Sequence, residues 1–359
     1  MKPFVKRIAS GAARAATVLP VMKLLEYAGD RHPDMLRVLC YHRIAEHTDD
    51  PDLYPGTVSA APSEFAAQMA YVAANYRVLS MADLLAAQRR GLSLPRRSLL
   101  ITFDDAYEDF AEHAWPTLCR FDLPATLFVP TAYPDRDDRT FWWDRLHQAL
   151  VRTDRREPLE SAAGRLVFGS RDRCAVSFKR VRDKVKSLAH DDAMELVDGI
   201  VAELGEFESC NRVLGWDALR GLAHEGVTMG SHTQTHPLLN RITHERIRDE
   251  LAGSITDLRR ELGSTLPIFA YPSGGFDDET MDILDEHQIE IAFSTRRGVN
   301  EIGVDHRLLL RRVLVNPQTT EPVLRAELLP WSTRLSRWRT PPHAGTRLAA
   351  PPAATSRAT

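Results

Sequence analysis

Cysteine is scarce in this chain, and the four present stand far apart. Cys40, Cys119, Cys174 and Cys210 form no CxxC pair among 359 residues. That removes the metal and redox motifs built on this spacing and leaves the four as small buried hydrophobes. Nothing in them implies an oxidising compartment. An excess of one charge sign is missing too: 49 acidic residues face 46 basic ones, a formal net charge of -3. A dedicated nucleic-acid binder carries a basic surplus, so a neutral or weakly charged partner fits better. The first apolar run, Ala15–Met22, contains Pro20 and stops at Lys23, far short of the ~20 residues that span a bilayer. An export signal would want a cleaner apolar stretch and a small-residue cleavage site. Residues 1–30, with Lys2, Lys6, Arg7 and Arg14, read as a basic amphipathic lead-in suited to touching a membrane surface. A helix packed on the domain is the equal alternative. The expected location is the cytoplasm, or the inner face of its membrane. There is no internal repeat, and residues 332–359, rich in Pro, Ala, Thr and Arg, hold almost nothing core-forming and are expected to be disordered.

What is present is ordinary globular material, 43% hydrophobic and 26% charged, enough for a sizeable core. Seven runs of strand length recur: Arg37–Tyr41, Ser98–Phe103, Ala125–Val129, Gly226–Gly230, Pro267–Tyr271, Glu290–Ser294 and Leu308–Val315. They are rich in Val, Ile, Leu and Phe without strict alternation, which marks strands buried on both faces in a parallel sheet. Helical patterns lie between them. Ser63 reads as the N-cap of Glu64–Asn75, with Phe65, Met69 and Val72 on one face; Ser80 and Asp83 resemble a capping box. Asp105–Cys119, Asp217–His224 and Asp278–His287 read as helices. Thr243 caps Glu245–Leu262, and Gly263 stops it. Strands alternating with helices predict a (β/α) barrel, incomplete or distorted, with an open doubly wound sheet as the alternative. Residues 135–213 break the alternation and read as a charged helical insertion forming one wall of a cleft. The domain is thus placed at residues 31–331.

Two motifs carry the chemistry. Thr102-Phe103-Asp104-Asp105 and Ser231-His232-Thr233-Gln234-Thr235-His236-Pro237 each follow a predicted buried strand directly. In a barrel the C-terminal strand ends point to the active site, so two carboxylates and two imidazoles reach one rim. His232 and His236 are four apart, a spacing that suits one divalent ion. Nitrogen and carboxylate oxygen together suit zinc and other first-row metals. Two histidines and one aspartate leave coordination positions open, and the second aspartate is left as a base.

These motifs, TFDD followed by SHTxxHP, resemble the signature of the polysaccharide deacetylase family (NodB homology, carbohydrate esterase family 4). Ala106 stands where that signature usually has Gly. The resemblance runs over residues 36–316. Leu39-Cys40-Tyr41-His42-Arg43-Ile44 is similar to the opening YHRI motif of one branch, whose strand order is circularly permuted. Phe269–Gly275 is similar to its FAYPYG segment, and Leu310-Arg311-Arg312-Val313 to its LPRI, with Arg311 in place of Pro. The resemblance implies a distorted (β/α)7 barrel with Asp105, His232 and His236 as metal ligands and Asp104 as catalytic base. It implies His42 as general acid, with His306, in the loop before the last strand, as runner-up. Arg312 is read as orienting Asp104 or binding substrate. Tyr271 is read as lining the cleft, and Trp142, within Phe141-Trp142-Trp143, as stacking on sugar. The implied cofactor is a divalent metal ion, zinc first. The implied activity is removal of N-acetyl groups from amino sugars of a polysaccharide or glycoconjugate. An O-acetyl esterase, a non-sugar amidase and a non-catalytic glycan binder are the alternatives.

Overall fold

A computed structural model of the chain describes residues 34–46, 50–205 and 212–329. The basic lead-in at 1–30, Cys210 and the tail at 332–359 lie outside the described residues.

Seven parallel strands form the core of the molecule: β1 Met35–Tyr41, β2 Ser98–Asp104, β3 Thr126–Val129, β4 Thr228–Ser231, β5 Ile268–Ala270, β6 Ile291–Arg297 and β7 Leu310–Leu314. Each expected run yields a strand. Consecutive strands pair in order, and β1 pairs with both β2 and β7, so the sheet closes into a barrel rather than staying open. Closure is uneven. β1 and β2 are matched from Leu36 to Tyr41, but β1 meets β7 only at Leu39 and Cys40, and the β6–β7 register slips between Phe293 and Arg297. That slip and the narrow seam are the distortion. Short strands Asn300–Glu301 and Arg77–Val78 extend the sheet beside β1 and β2.

Side chains alternate across a strand, and here the alternation sorts the core in two. Leu36 and Val38 of β1, Leu100 of β2, Phe128 of β3, Ile268 and Ala270 of β5, Ile291 and Phe293 of β6 and Leu310 of β7 fill the barrel interior. The intervening Leu39, Tyr41, Leu99, Ile101, Phe103, Leu127 and Val129 face outward and pack under helices. Each such side chain contributes roughly 1.5–3 kcal/mol on burial.

Helix α1, Pro62–Asn75, buries Phe65, Met69 and Val72 as its spacing predicts. Its N-cap is Ala61 rather than Ser63, because Pro62 takes the first helical position, where a missing N–H costs nothing. Helix α2, Met81–Arg90, opens on the expected Ser80/Asp83 capping box. Its Met81, Leu84 and Leu85 join the interior cluster and stopper the barrel at the N-terminal strand ends. The helix expected from Asp105 starts later. Asp105 and Ala106 sit at φ 73° and 53°, a left-handed bend that helical backbone does not tolerate. A wide turn at Phe110–Ala114 then leads into α3, Trp115–Arg120. Between β3 and β4 come α4 Trp142–Arg152, a hairpin of Leu159–Ser161 with Gly164–Leu166, α5 Arg171–Val185, α6 His190–Leu204 and α7 Trp216–His224. α8, His244–Leu262, is capped by Thr243, whose hydroxyl accepts from Arg246 N–H. α9 Asp278–Glu286 and α10 Glu321–Glu327 complete the layer.

Gly230 lies inside the barrel, where a Cβ would sit 2.7 Å from Phe128 and 2.9 Å from Ile268. Gly230→Ala is therefore expected to destabilise the fold by ~1–3 kcal/mol through overpacking, read as a lower urea midpoint; an unchanged midpoint would mean the interior is not filled at that level.

Candidate active site

The same alternation delivers the site. Cys40 and His42 continue the interior face of β1, Thr102 and Asp104 that of β2, and Leu310 and Arg312 that of β7. Asp104 is buried at the tip of β2. Arg312, completely buried, grips it from both sides, Nη1 donating to Oδ1 at 2.8 Å and Nη2 to Oδ2 at 2.7 Å. Arg312 also donates to the Ser294 carbonyl at 3.1 Å and to Thr102 Oγ1 at 3.4 Å. Burial alone would raise the Asp104 carboxyl, but the Arg312 guanidinium outweighs it and holds the group well below the usual carboxylate range.

Asp105 is one residue out of phase with Asp104, and its left-handed φ turns it across the rim. Its Oδ1 lies 3.5 Å from Nε2 of His232 and 3.3 Å from Nε2 of His236. That oxygen is buried and accepts no hydrogen bond, a costly state for a carboxylate without a cation. Nδ1 of His232 faces the Ala270 carbonyl at 2.7 Å, which directs Nε2 toward Asp105, the arrangement typical of a ligating histidine. Burial pushes His236 down to about 4, with Asp105 opposing, so its ring is neutral and free to ligate at neutral pH. For His232, burial pushes down, but closeness to Asp105 and Asp104 outweighs it and the pKa is raised. One atom from each of Asp105, His232 and His236 falls within 4.8 Å of the others. The donor set thus fits a divalent ion.

The loop carrying the histidines is pinned from α8. Glu250, buried, accepts the backbone N–H groups of Gln234 and Thr235 at 2.9 and 2.8 Å. Asp257 accepts from Gln234 Nε2 at 2.9 Å and Thr131 Oγ1 at 2.7 Å. On the other side, Phe141 stacks between Tyr133 and Trp143, and Trp143 meets His236 edge-on at 5.0 Å. Trp143 Nε1 donates to the Tyr107 hydroxyl at 2.8 Å, and that hydroxyl donates to Asp144 at 3.3 Å. Arg43 lies 3.6 Å above the Tyr107 ring and pairs with Asp109 at 3.3 Å and Asp144 at 3.7 Å. Burial pushes both Asp109 and Asp144 up to about 6 against the pull of Arg43.

These observations can be set beside known proteins. The family model for polysaccharide deacetylase matches residues 92–292, more than half of the chain. The chain belongs to the polysaccharide deacetylase family. The matched stretch contains Asp104, Asp105, His232 and His236; the strands bearing His42 and Arg312 fall outside it. Among curated proteins, this deacetylase-family chain is similar to the poly-beta-1,6-N-acetyl-D-glucosamine N-deacetylase of Escherichia coli K12, 30% identical over 88 residues. It is also similar to that of Staphylococcus aureus N315, 32% identical over 76 residues. These matches cover 24% and 21% of this chain, and only 12% and 26% of the relatives' lengths. Among solved structures, the Streptococcus pyogenes deacetylase PplD aligns with a TM-score of 0.57 at 19% identity, covering 83% of this chain and 100% of PplD. IcaB from Ammonifex degensii aligns at 0.54 and 20%, covering 82% and 97%. Both support the same barrel.

Within this family member, His42 stands at the rim, half-buried, its backbone N–H donating to Ser59 Oγ at 2.9 Å. His306 does not reach the site. It is exposed at the N-terminal end of β7, the opposite end of the barrel, where its Nδ1 accepts the Leu308 N–H at 3.2 Å. Tyr271 does not line the cleft either. It shares the phase of Phe269, faces outward, is fully buried, and its hydroxyl donates to the Leu308 carbonyl at 2.9 Å. Arg312 has no exposed surface to offer a substrate; its two amino groups are spent on Asp104. Of the aromatic triplet, Phe141 and Trp143 are buried, while half-buried Trp142 borders a cleft of about 1230 Å³ that also touches His236, Arg139, His190 and Glu195. Cys119 is exposed, unlike the buried Cys40 and Cys174.

Removing Arg312 strands a buried charge. Arg312→Met is expected to cost ~3–5 kcal/mol of stability, measured by urea unfolding. Asp104 has a lowered folded pKa, so the pair stabilises above the ordinary carboxylate value and the benefit fades as pH falls below it. The gap between wild type and variant should accordingly narrow in acid; a gap constant with pH would mean that Asp104 is not the partner that matters.

Proposed function

We propose that this protein is a metal-dependent hydrolase that removes N-acetyl groups from amino sugars of a polysaccharide or glycoconjugate. The observation that carries the reading is the division of labour between adjacent aspartates. Asp105 turns its partnerless oxygen to two imidazoles, while Asp104 is held apart by Arg312. The names of the relatives, which are N-deacetylases of a glucosamine polymer, support the substrate class.

Asp105, His232 and His236 would hold the ion, zinc being the first choice for a set of two nitrogens and one oxygen. Such an ion, when bound, polarises the acetyl carbonyl and acidifies water. Asp104, kept ionised by Arg312, takes a proton from the attacking water. The backbone N–H of Tyr107 is turned away from Val213, since the two form the wide pair of their bridge. It is therefore available to the oxygen that gains charge as the tetrahedral intermediate forms. His42, across the rim from Asp105, donates a proton to the sugar nitrogen as the C–N bond breaks. Acetate and a free amine leave. Trp142 offers a ring face along the cleft to a neighbouring sugar.

Purified protein should release acetate from N-acetylglucosamine oligomers, lose that activity to a chelator and regain it with added zinc or another first-row metal. Asp104→Asn should lower kcat by at least ~10²-fold with bound metal unchanged by elemental analysis, whereas Asp105→Asn should lose the metal. Full activity in Asp104→Asn would remove that residue from the role of base. Trp142→Ala should raise KM for oligomers about two- to tenfold, the worth of one aromatic stack, with kcat unchanged; an unaltered KM would take the ring out of substrate contact.

A further inference from the structure

We propose a second metal site beside the first, one that takes a thiophilic divalent cation. Cys40 Sγ, a ring nitrogen of His42 and a carboxylate oxygen of Asp104 lie within 4.8 Å of one another. The barrel brings them together by register. Cys40 and His42 are two residues apart on the interior face of β1, and Cys40 is paired with Thr102, two residues before Asp104 on the interior face of β2. The donor set is sulfur, nitrogen and oxygen, unlike the all-nitrogen-and-oxygen set around Asp105. Among divalent ions, thiolate selects softer ones such as zinc and cadmium.

Three atoms at the corners of such a triangle have their common centre no more than ~2.8 Å from each. Zinc-type bonds are ~2.0–2.3 Å long, so a closure of at most ~0.5–0.8 Å per ligand suffices, and the half-buried His42 is the member with room to move. Arg312 does not block the site. It uses one lone pair on each oxygen of Asp104, and each carboxylate oxygen has two. The second pair on Oδ2 faces Cys40 Sγ at 3.6 Å. When the cation enters, the thiol proton leaves to solvent and the ion takes its place between sulfur and oxygen, one proton released per ion. Among the described residues, no other cysteine belongs to such a group. Cys119 is exposed, and Cys174 donates to the Leu150 carbonyl at 3.1 Å. Occupancy would engage Asp104 and His42 together, so excess soft cation should inhibit hydrolysis; that consequence, unlike the site, rests on the function proposed above.

Cadmium is the probe, because a sulfur-to-cadmium charge-transfer band in the ultraviolet reports thiolate ligation and is silent for nitrogen and oxygen ligands. Titration of the full chain should give a saturable band from one thiolate-bound ion. Cys40→Ser should lose it although Cys119, Cys174 and Cys210 remain. His42→Ala, altered at the rim, should keep the band but weaken that ion's affinity at least tenfold. A band of equal size in Cys40→Ser, or no band in the wild type, overturns the site. Equal affinity in His42→Ala overturns the three-donor arrangement, and this second variant decides the matter even if Cys40→Ser fails to fold.

Discussion

A side chain in a β-strand faces the opposite way from its neighbours, and in a closed parallel barrel that leaves only two destinations. One set goes inward to the interior and the rim, the other outward beneath the helices. Cys40, His42, Thr102, Asp104, Ala270 and Arg312 are all on the inward set or continue it, and the Asp104 half of the site is built from it. Asp105 is the departure. It follows Asp104 and would point outward, but its φ of 73° swings it onto the rim beside the histidines. Strain at this bend, including Ala106 at φ 53° where glycine would sit without cost, is what allows adjacent carboxylates to face different partners.

A barrel interior is a poor place for charge, and the protein answers that problem twice with different means. Asp104 is neutralised by a guanidinium in a two-pronged grip, which fixes both its ionisation and its orientation. Asp105 turns one oxygen to two imidazoles, and that oxygen accepts no hydrogen bond. The first carboxylate is satisfied within the chain; the second keeps an oxygen suited to a cation. Further out, the Arg43–Asp109–Asp144–Tyr107 group ties the β1 loop to the first turn of α4. Helix α4 is therefore anchored to the rim by buried polar contacts as well as by the aromatic stack.

Much of this was legible in the residues. Seven apolar runs gave seven strands, because strands buried on both faces need continuous Val, Ile, Leu and Phe. Asp104, Asp105, His232 and His236 meet at one rim because each motif directly follows a strand. Tyr271 belongs to the phase of Phe269, two residues before it, and that phase faces out, which the motif alone does not display. His306 precedes its strand, and a residue before a parallel strand is at the far end of the barrel. Ser63 lost its cap to Pro62. The signal for Glu250 was present, an acid set among Ile247, Leu251 and Leu258 on the buried face of α8. What it binds, two loop N–H groups, could not be read from a helical pattern. The partnership of Cys40 with Asp104 depends on strand register, which sequence does not display.

β1 is the seam of the barrel. It lies between β2, close behind it in the chain, and β7, whose residues are more than two hundred and fifty positions later, and it meets β7 at only Leu39 and Cys40. On a ribosome, the first six strands can emerge and begin to associate while the gap beside β1 stays open. Until Arg312 arrives, Asp104 has no counter-charge and an incomplete ring exposes apolar edges to its neighbours. Synthesis of the last strand both shuts the ring and delivers the guanidinium that grips Asp104 as it is buried, so a nascent chain stalled short of it would hold both motifs without the side chain that orients the first.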